Sequence, residues 1–168
     1  MDEIINKVDQ SGLLTLNLED YYDSNKRVYI DLKDHLHEGL ILRERDFRDF
    51  VKSNDWSQYQ DCHVAVDISS DAIVPAWAFM LVASAVSSYA KTVVKGSLED
   101  LNKHLYSLAI QKIDPIDFTD KFVIVKGCSK VPVPESAYVE LCAVLQPVVK
   151  SLSYGEACSK VPLYKKRR

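Results

Sequence analysis

The sequence carries few of the local signatures that announce a chemistry. It has only five glycines. None of them builds a Gly-x-Gly-x-x-Gly turn, a Walker lysine loop or a serine nucleophile elbow, so nucleotide-dependent chemistry and serine hydrolysis have no motif behind them. Four cysteines occur without a Cys-x-x-Cys pair, which excludes a disulfide scaffold and leaves the strong zinc signature absent. The most apolar run, Ala72 to Val86, is interrupted by Ser84 and falls short of the roughly 20 residues that a membrane span needs. The opening Met1-Asp2-Glu3-Ile4-Ile5 lacks a basic start before an apolar core, so no signal peptide is expected. A dominant charge is missing too. Net charge is −3, and only the end, Lys165-Lys166-Arg167-Arg168, is basic, so no global field gathers nucleic acid or membrane. The expectation is a cytoplasmic protein with reduced thiols, no membrane contact and no nucleic-acid partner.

What is present suits a globular fold. An apolar fraction of 47% over 168 residues is enough to bury a sizeable core, most simply as one domain spanning 1–168. Leu14, Leu16 and Leu18 alternate with polar residues, as do Val28, Ile30 and Leu32. Period-two alternation predicts two strands with one wet face each. With the polar joint Glu19 to Lys26 between them, they are expected to form an antiparallel pair at a sheet edge. A short amphipathic helix over Arg43 to Lys52 completes residues 1–60. Residues 61–162 then alternate strand-like and helix-like runs, predicting a βαβαβαβ core, with 163–168 a solvated basic tail. The expected fold class is α/β: a mainly parallel sheet with helices on both faces and the N-terminal antiparallel pair at an edge. Ser97 with Asp100 predicts a capped start for the helix from Leu98. Pro75 and Pro134 sit where proline is tolerated, in the first turn of a helix. The helix after Pro75 is apolar nearly all round, which predicts burial in the core or in a homodimer interface.

Ligands in open parallel sheets bind outside the carboxyl ends of the strands. That rule gathers Asp67, Ser69 and Ser70 after the first core strand, then Gly127, Cys128, Ser129 and Lys130 after the third, then Cys158 and Lys160 after the last. The pentapeptide Cys-Ser-Lys-Val-Pro occurs at 128–132 and again at 158–162, which suggests two equivalent loops facing one crevice. Three readings of these cysteines stay open. They pack beneath loops; or Cys128 and Cys158 bind zinc or another divalent metal; or Cys128, near Lys126 and Lys130 and before a helix N-terminus, is a thiolate nucleophile. Cys62 and Cys142 read as small core residues. His35 and His37 lie on one face of an extended segment, a spacing that can chelate a metal, although two histidines in a polar joint more often face solvent. The leading expectation is a small-ligand or metal-binding module with its site near Cys128 and Cys158. The alternatives are a cysteine-dependent enzyme and a structural homodimer with no site.

Three stretches also carry a resemblance: Asp55-Trp56-Ser57-Gln58-Tyr59, Glu38 through Arg48, and Lys126-Gly127-Cys128 through Leu141, with Tyr154-Gly155-Glu156 beside them. They resemble a family of bacterial proteins classed as a domain of unknown function. The resemblance covers nearly the whole chain and implies a single domain. It implies no activity, cofactor or catalytic residue.

Overall fold

The computed structural model describes residues 13–127, 130–156 and 158–167. In order, the strands are β1 (Leu13–Leu16), β2 (Arg27–Asp31), β3 (His63–Asp67), β4 (Thr92–Lys95), β5 (Phe122–Val125), β6 (Ser151–Tyr154) and β7 (Val161–Lys165). The helices are α1 (Glu44–Ser53), α2 (Ala76–Val86), α3 (Leu98–Ile110) and α4 (Glu135–Leu145). The class is the α/β one that the strand–helix alternation predicts, and its pairings are parallel except between β6 and β7.

The strands fall into two sheets, ordered β2-β3-β4 and β1-β5-β6-β7. The chain correspondingly divides into a contiguous unit, Asp23–His104, and a split unit made of the chain up to Tyr22 and from Leu105 onward. This corrects the expected N-terminal antiparallel pair. β1 runs parallel to β5, with Leu13 opposite Phe122, and β2 runs parallel to β3, with Arg27 opposite His63. Alternation of apolar residues specifies which face is buried and is silent about the partner strand or its direction. The tail is corrected as well. Val161–Lys165 is a strand antiparallel to β6, Lys166 donates its N–H to Lys150 O at 3.0 Å, and its ammonium lies 3.0 Å from Asp120. Pro162 is tolerated there because β7 is the edge of its sheet.

The two units repeat one plan. From α1 to Gly96, the contiguous unit matches the described residues 59 positions later in the split unit. Thus α2 at 76–86 corresponds to α4 at 135–145, and β4 at 92–95 to β6 at 151–154. The core follows. Phe47, Val51, Val64, Val66, Ala78, Val82 and Val86 fill one core, and Tyr106, Ile110, Val123, Val125, Ala137, Leu141 and Leu145 fill the other at the matching positions. The spacing i, i+4, i+8 along α2 and α4 places their buried residues on one stripe. β1 and β2 are the matching first strands, each followed by a 3-10 turn (Leu18–Tyr21 and Leu32–His35). Those turns are capped by Asn17 and Asp31 and bury Leu18 and Leu32 completely. One copy therefore sits in the sequence inside the other, between the turn at Leu18–Tyr21 and α3. Burying each such leucine or valine contributes about 1.5–3 kcal/mol, so both cores are substantial.

The start of α3 has the predicted cap. Asp100 accepts from the Ser97 N–H at 2.9 Å and the Ser97 hydroxyl at 2.7 Å, and the Asp100 N–H donates back to Ser97 Oγ at 3.1 Å. α2 departs from expectation in part. Ala78, Val82 and Val86 are buried, while Met80 is 69% exposed. No helix among the described residues is long and apolar enough to cross a membrane.

Candidate functional site

The residues gathered by the strand-end rule belong to two sheets. Asp67, Ser69 and Ser70 follow β3 in the contiguous unit. There the parallel register sets Asp31 beside Asp67. Asp31 accepts the N–H groups of Lys33 at 3.0 Å and Ser69 at 3.1 Å. Burial acts to raise its pKa, but the Ser69 hydroxyl, these two amides and the Lys33 charge outweigh it and hold the carboxyl below its ordinary value. Asp67 accepts the Ile68 N–H at 2.9 Å and lies 3.0 Å from the Lys95 ammonium. The Ser70 hydroxyl donates to Gly39 O at 3.2 Å. The Tyr29 phenol is pushed up by burial and then by the two carboxylates. These bonds fasten the loop after β3, and they use much of the accepting capacity a ligand would need.

Gly127, Lys130, Cys158 and Lys160 belong to the split unit. β5 and β6 are adjacent and parallel, so their carboxyl ends do lie side by side, as the rule requires. Tyr154 stands at that end, against Gly127. Its ring occupies the space above Gly127, where a Cβ would stand 2.5 Å from the ring, and its hydroxyl donates to Gly127 O at 3.4 Å. Tyr138 meets the same ring edge-on, with centroids 5.6 Å apart. The Lys130 N–H donates to Glu19 at 2.8 Å, while Cys158 and Lys160 are exposed. Cys128 and Ser129 lie outside the described residues, and with them the two-cysteine metal site and the Cys128 nucleophile.

The repeated pentapeptide lies partly outside the described residues, at Cys128 and Ser129. Its first copy leads toward α4, and its second supplies the first two residues of β7. Among the described residues no three His, Cys, Asp or Glu side chains are grouped to hold a metal ion. His35 stacks on Phe50 with ring centroids 3.4 Å apart, and His37 lies 3.8 Å from Glu38, so the two histidines have separate environments.

Two features lie at the opposite ends of the sheets. At the start of β3, His63 is 3% exposed, with Nε2 3.1 Å from Asp23 Oδ2. The approach is close enough for an ion pair but lies off the hydrogen-bonding direction, and Nδ1 has no hydrogen-bond partner among the described residues. At the matching position in the split unit stands Phe122. It borders a cleft of about 530 Å³ lined by Phe122, Lys150, Lys165, Lys166 and Arg167. The Lys150 ammonium sits 4.8 Å from the centre of the Phe122 ring, a cation–π contact. Four cations gathered in one cleft contrast with a chain whose net charge is −3.

Lys165 to Arg167 are legible as a basic run in the sequence. That they meet Lys150 and Phe122 follows from the register, in which Phe122 is opposite Ser151 and Ser151 is opposite Lys165. An apolar groove of about 550 Å³ occurs separately in the contiguous unit, lined by Leu40, Ile41, Leu42, Glu44, Ile73, Pro75 and Trp77.

Fold and clefts together define an α/β protein built from two copies of a parallel-sheet unit, one of which carries a cationic cleft. Residues 2–166 match the family described as Protein of unknown function (DUF2480), and the chain belongs to it. Comparison with curated proteins and with solved structures finds no match.

Proposed function

We propose that this protein is a binding module for a small anionic ligand, held in the cleft formed by Phe122, Lys150, Lys165, Lys166 and Arg167. The small-ligand reading of the sequence is kept, and its site is moved from the carboxyl ends of β5 and β6 to their amino ends. The supporting observation is the convergence of four cations, from β7, the two residues after it and the residue before β6, on one recess of ligand size. Asp120 offsets part of that charge through Lys166. The remaining cations favour phosphate or carboxylate groups through charge-assisted hydrogen bonds.

Calorimetric titration with inorganic triphosphate at low salt tests this. Saturable binding is expected, weakening as ionic strength rises toward 0.5 M because partly exposed charges are screened within about 10 Å at 0.1 M. Replacing Lys165 and Arg167 together with alanine is expected to weaken it at least tenfold. Absence of saturable binding to the intact protein at low salt overturns the reading.

A second reading is favoured by a different observation. Ile73, Leu40, Ile41 and Met80 are 92%, 61%, 57% and 69% exposed, and α2 carries no charged residue. An apolar surface of this kind suits a second copy of the same chain. Light scattering tests it. A dimer that Ile73→Asp with Met80→Asp converts to monomer is expected, and a concentration-independent monomer removes the idea.

A further inference from the structure

We infer that the ligand of the cationic cleft joins a planar aromatic ring to a phosphate or polyphosphate group, and so belongs chemically to the nucleotides. This rests on the anion-binding reading of the same cleft. Phe122 supplies the argument. In β5, Val123 and Val125 enter the core, and alternation turns Phe122 to the other face. The ring is only partly buried and borders the cleft. The Lys150 ammonium covers one face of the ring from the cleft side, and a flexible lysine in that place is a group that a stacking ring can displace.

The register then sets the slot. Phe122, Ser151 and Lys165 form one row across three neighbouring strands. Strands lie roughly 4.8 Å apart, so the outer two of the row are separated by about 10 Å. The serine between them is small and leaves room beside the ring. A base stacked on Phe122 would hold its phosphates toward Lys165, Arg167 and the displaced Lys150. Stacking on an aromatic platform beside cations needs no glycine-rich loop, since any base presents a π-face.

Comparison of the two copies isolates the feature. The position matching Phe122 is His63, which is buried and faces Asp23. The three-stranded sheet ends at β4, without a counterpart to β7 among the described residues. The common plan therefore needs neither an open aromatic ring here nor a cationic strand beside it. Both are additions in the split unit, and they meet in one cleft.

The test is titration of the full-length protein at low salt with ATP and with inorganic triphosphate, in the native form and in Phe122→Leu. The native protein is expected to bind ATP about tenfold or more tightly than triphosphate, in line with base stacking on an aromatic side chain. Phe122→Leu is expected to abolish that difference, ATP binding falling to the level of triphosphate binding in the same variant. Nuclear Overhauser contacts between Phe122 ring protons and the adenine protons give a readout that does not depend on the variant folding normally. Equal affinity for ATP and triphosphate, or absence of those contacts, overturns the stacking inference while anion binding stands. Failure of both ligands to bind overturns the anion reading itself. A single-stranded oligonucleotide bound far more tightly than ATP overturns the assignment to a free nucleotide.

Discussion

Asp61 and Asp120 hold the same backbone conformation at matching places in the two copies, from 61 to 120 a spacing of 59. Their φ values are 58° and 54°. Each donates its N–H across to the segment before the next strand, Asp61 to Tyr89 O at 3.0 Å and Asp120 to Val148 O at 2.9 Å. The left-handed region costs an ordinary residue about 1–2 kcal/mol, less for aspartate. Asp61→Gly is therefore expected to be neutral or to stabilise by up to about 1 kcal/mol, and Asp61→Val to destabilise by about 2 kcal/mol. Urea unfolding of the variants decides it. A valine tolerated at no cost would show that the turn is not held in this conformation.

Gly96 and Gly155 are the second matched pair, with φ values of 142° and 110° just after β4 and β6. Alanine at either position is expected to destabilise by about 1–3 kcal/mol. The cost should be larger at Gly96, where a Cβ would stand 2.8 Å from Asp100 Oδ2 and disturb the cap of α3. Thermal unfolding with both single variants checks the order. Equal losses would mean that the cap adds nothing to the strain.

Asp23 beside His63 gives a pH dependence. Burial acts to raise the Asp23 pKa, but hydrogen bonds from the Asn25 backbone and side chain, and then His63, outweigh it and bring the carboxyl down from 3.8 to about 2. A carboxyl lowered on folding adds stability that is full above its unfolded value, near pH 4, and lost as pH falls toward 2. The shift alone corresponds to roughly 2.4 kcal/mol. With 39% of the side chain exposed, solvent screening reduces this to about 1 kcal/mol. Asp23→Asn should lose that amount at pH 7 and converge on the native protein only as the pH falls below about 2, as followed by urea titration across the range. His63→Phe, the residue carried by the other copy, should remove only part of the dependence, because Asn25 remains.

The cysteines are graded by burial. Cys158 is exposed, Cys142 is half-buried with its thiol pushed up by burial, and Cys62 is buried. In a Cys128→Ser background, iodoacetamide at pH 8 is expected to label Cys158 first, Cys142 slowly and Cys62 only on unfolding, as read by peptide mass spectrometry. Early labelling of Cys62 would contradict its place in the core.

The extent to which the sequence disclosed this protein varies with the range of each interaction. Ser97 and Asp100 are three residues apart, and Ala137, Leu141 and Leu145 repeat along one helix. Local periodicity and capping chemistry therefore determined the helices, the strand faces and the α/β class without any tertiary information. Pairing of Leu13 with Phe122 joins residues far apart in the chain, and alternation carries no record of it. The nested copies are hidden for a related reason: matched positions share burial more than identity, as with Phe47 and Tyr106 or Val82 and Leu141. The cleft is the clearest case. Lys165-Lys166-Arg167 looks like a solvated tail until β7 adds to β6, and only that pairing brings the lysines to an aromatic ring more than forty residues earlier in the chain. Local sequence determined the helices and the alternating strands; strand pairing in the tertiary structure determined β7 and which elements share a site.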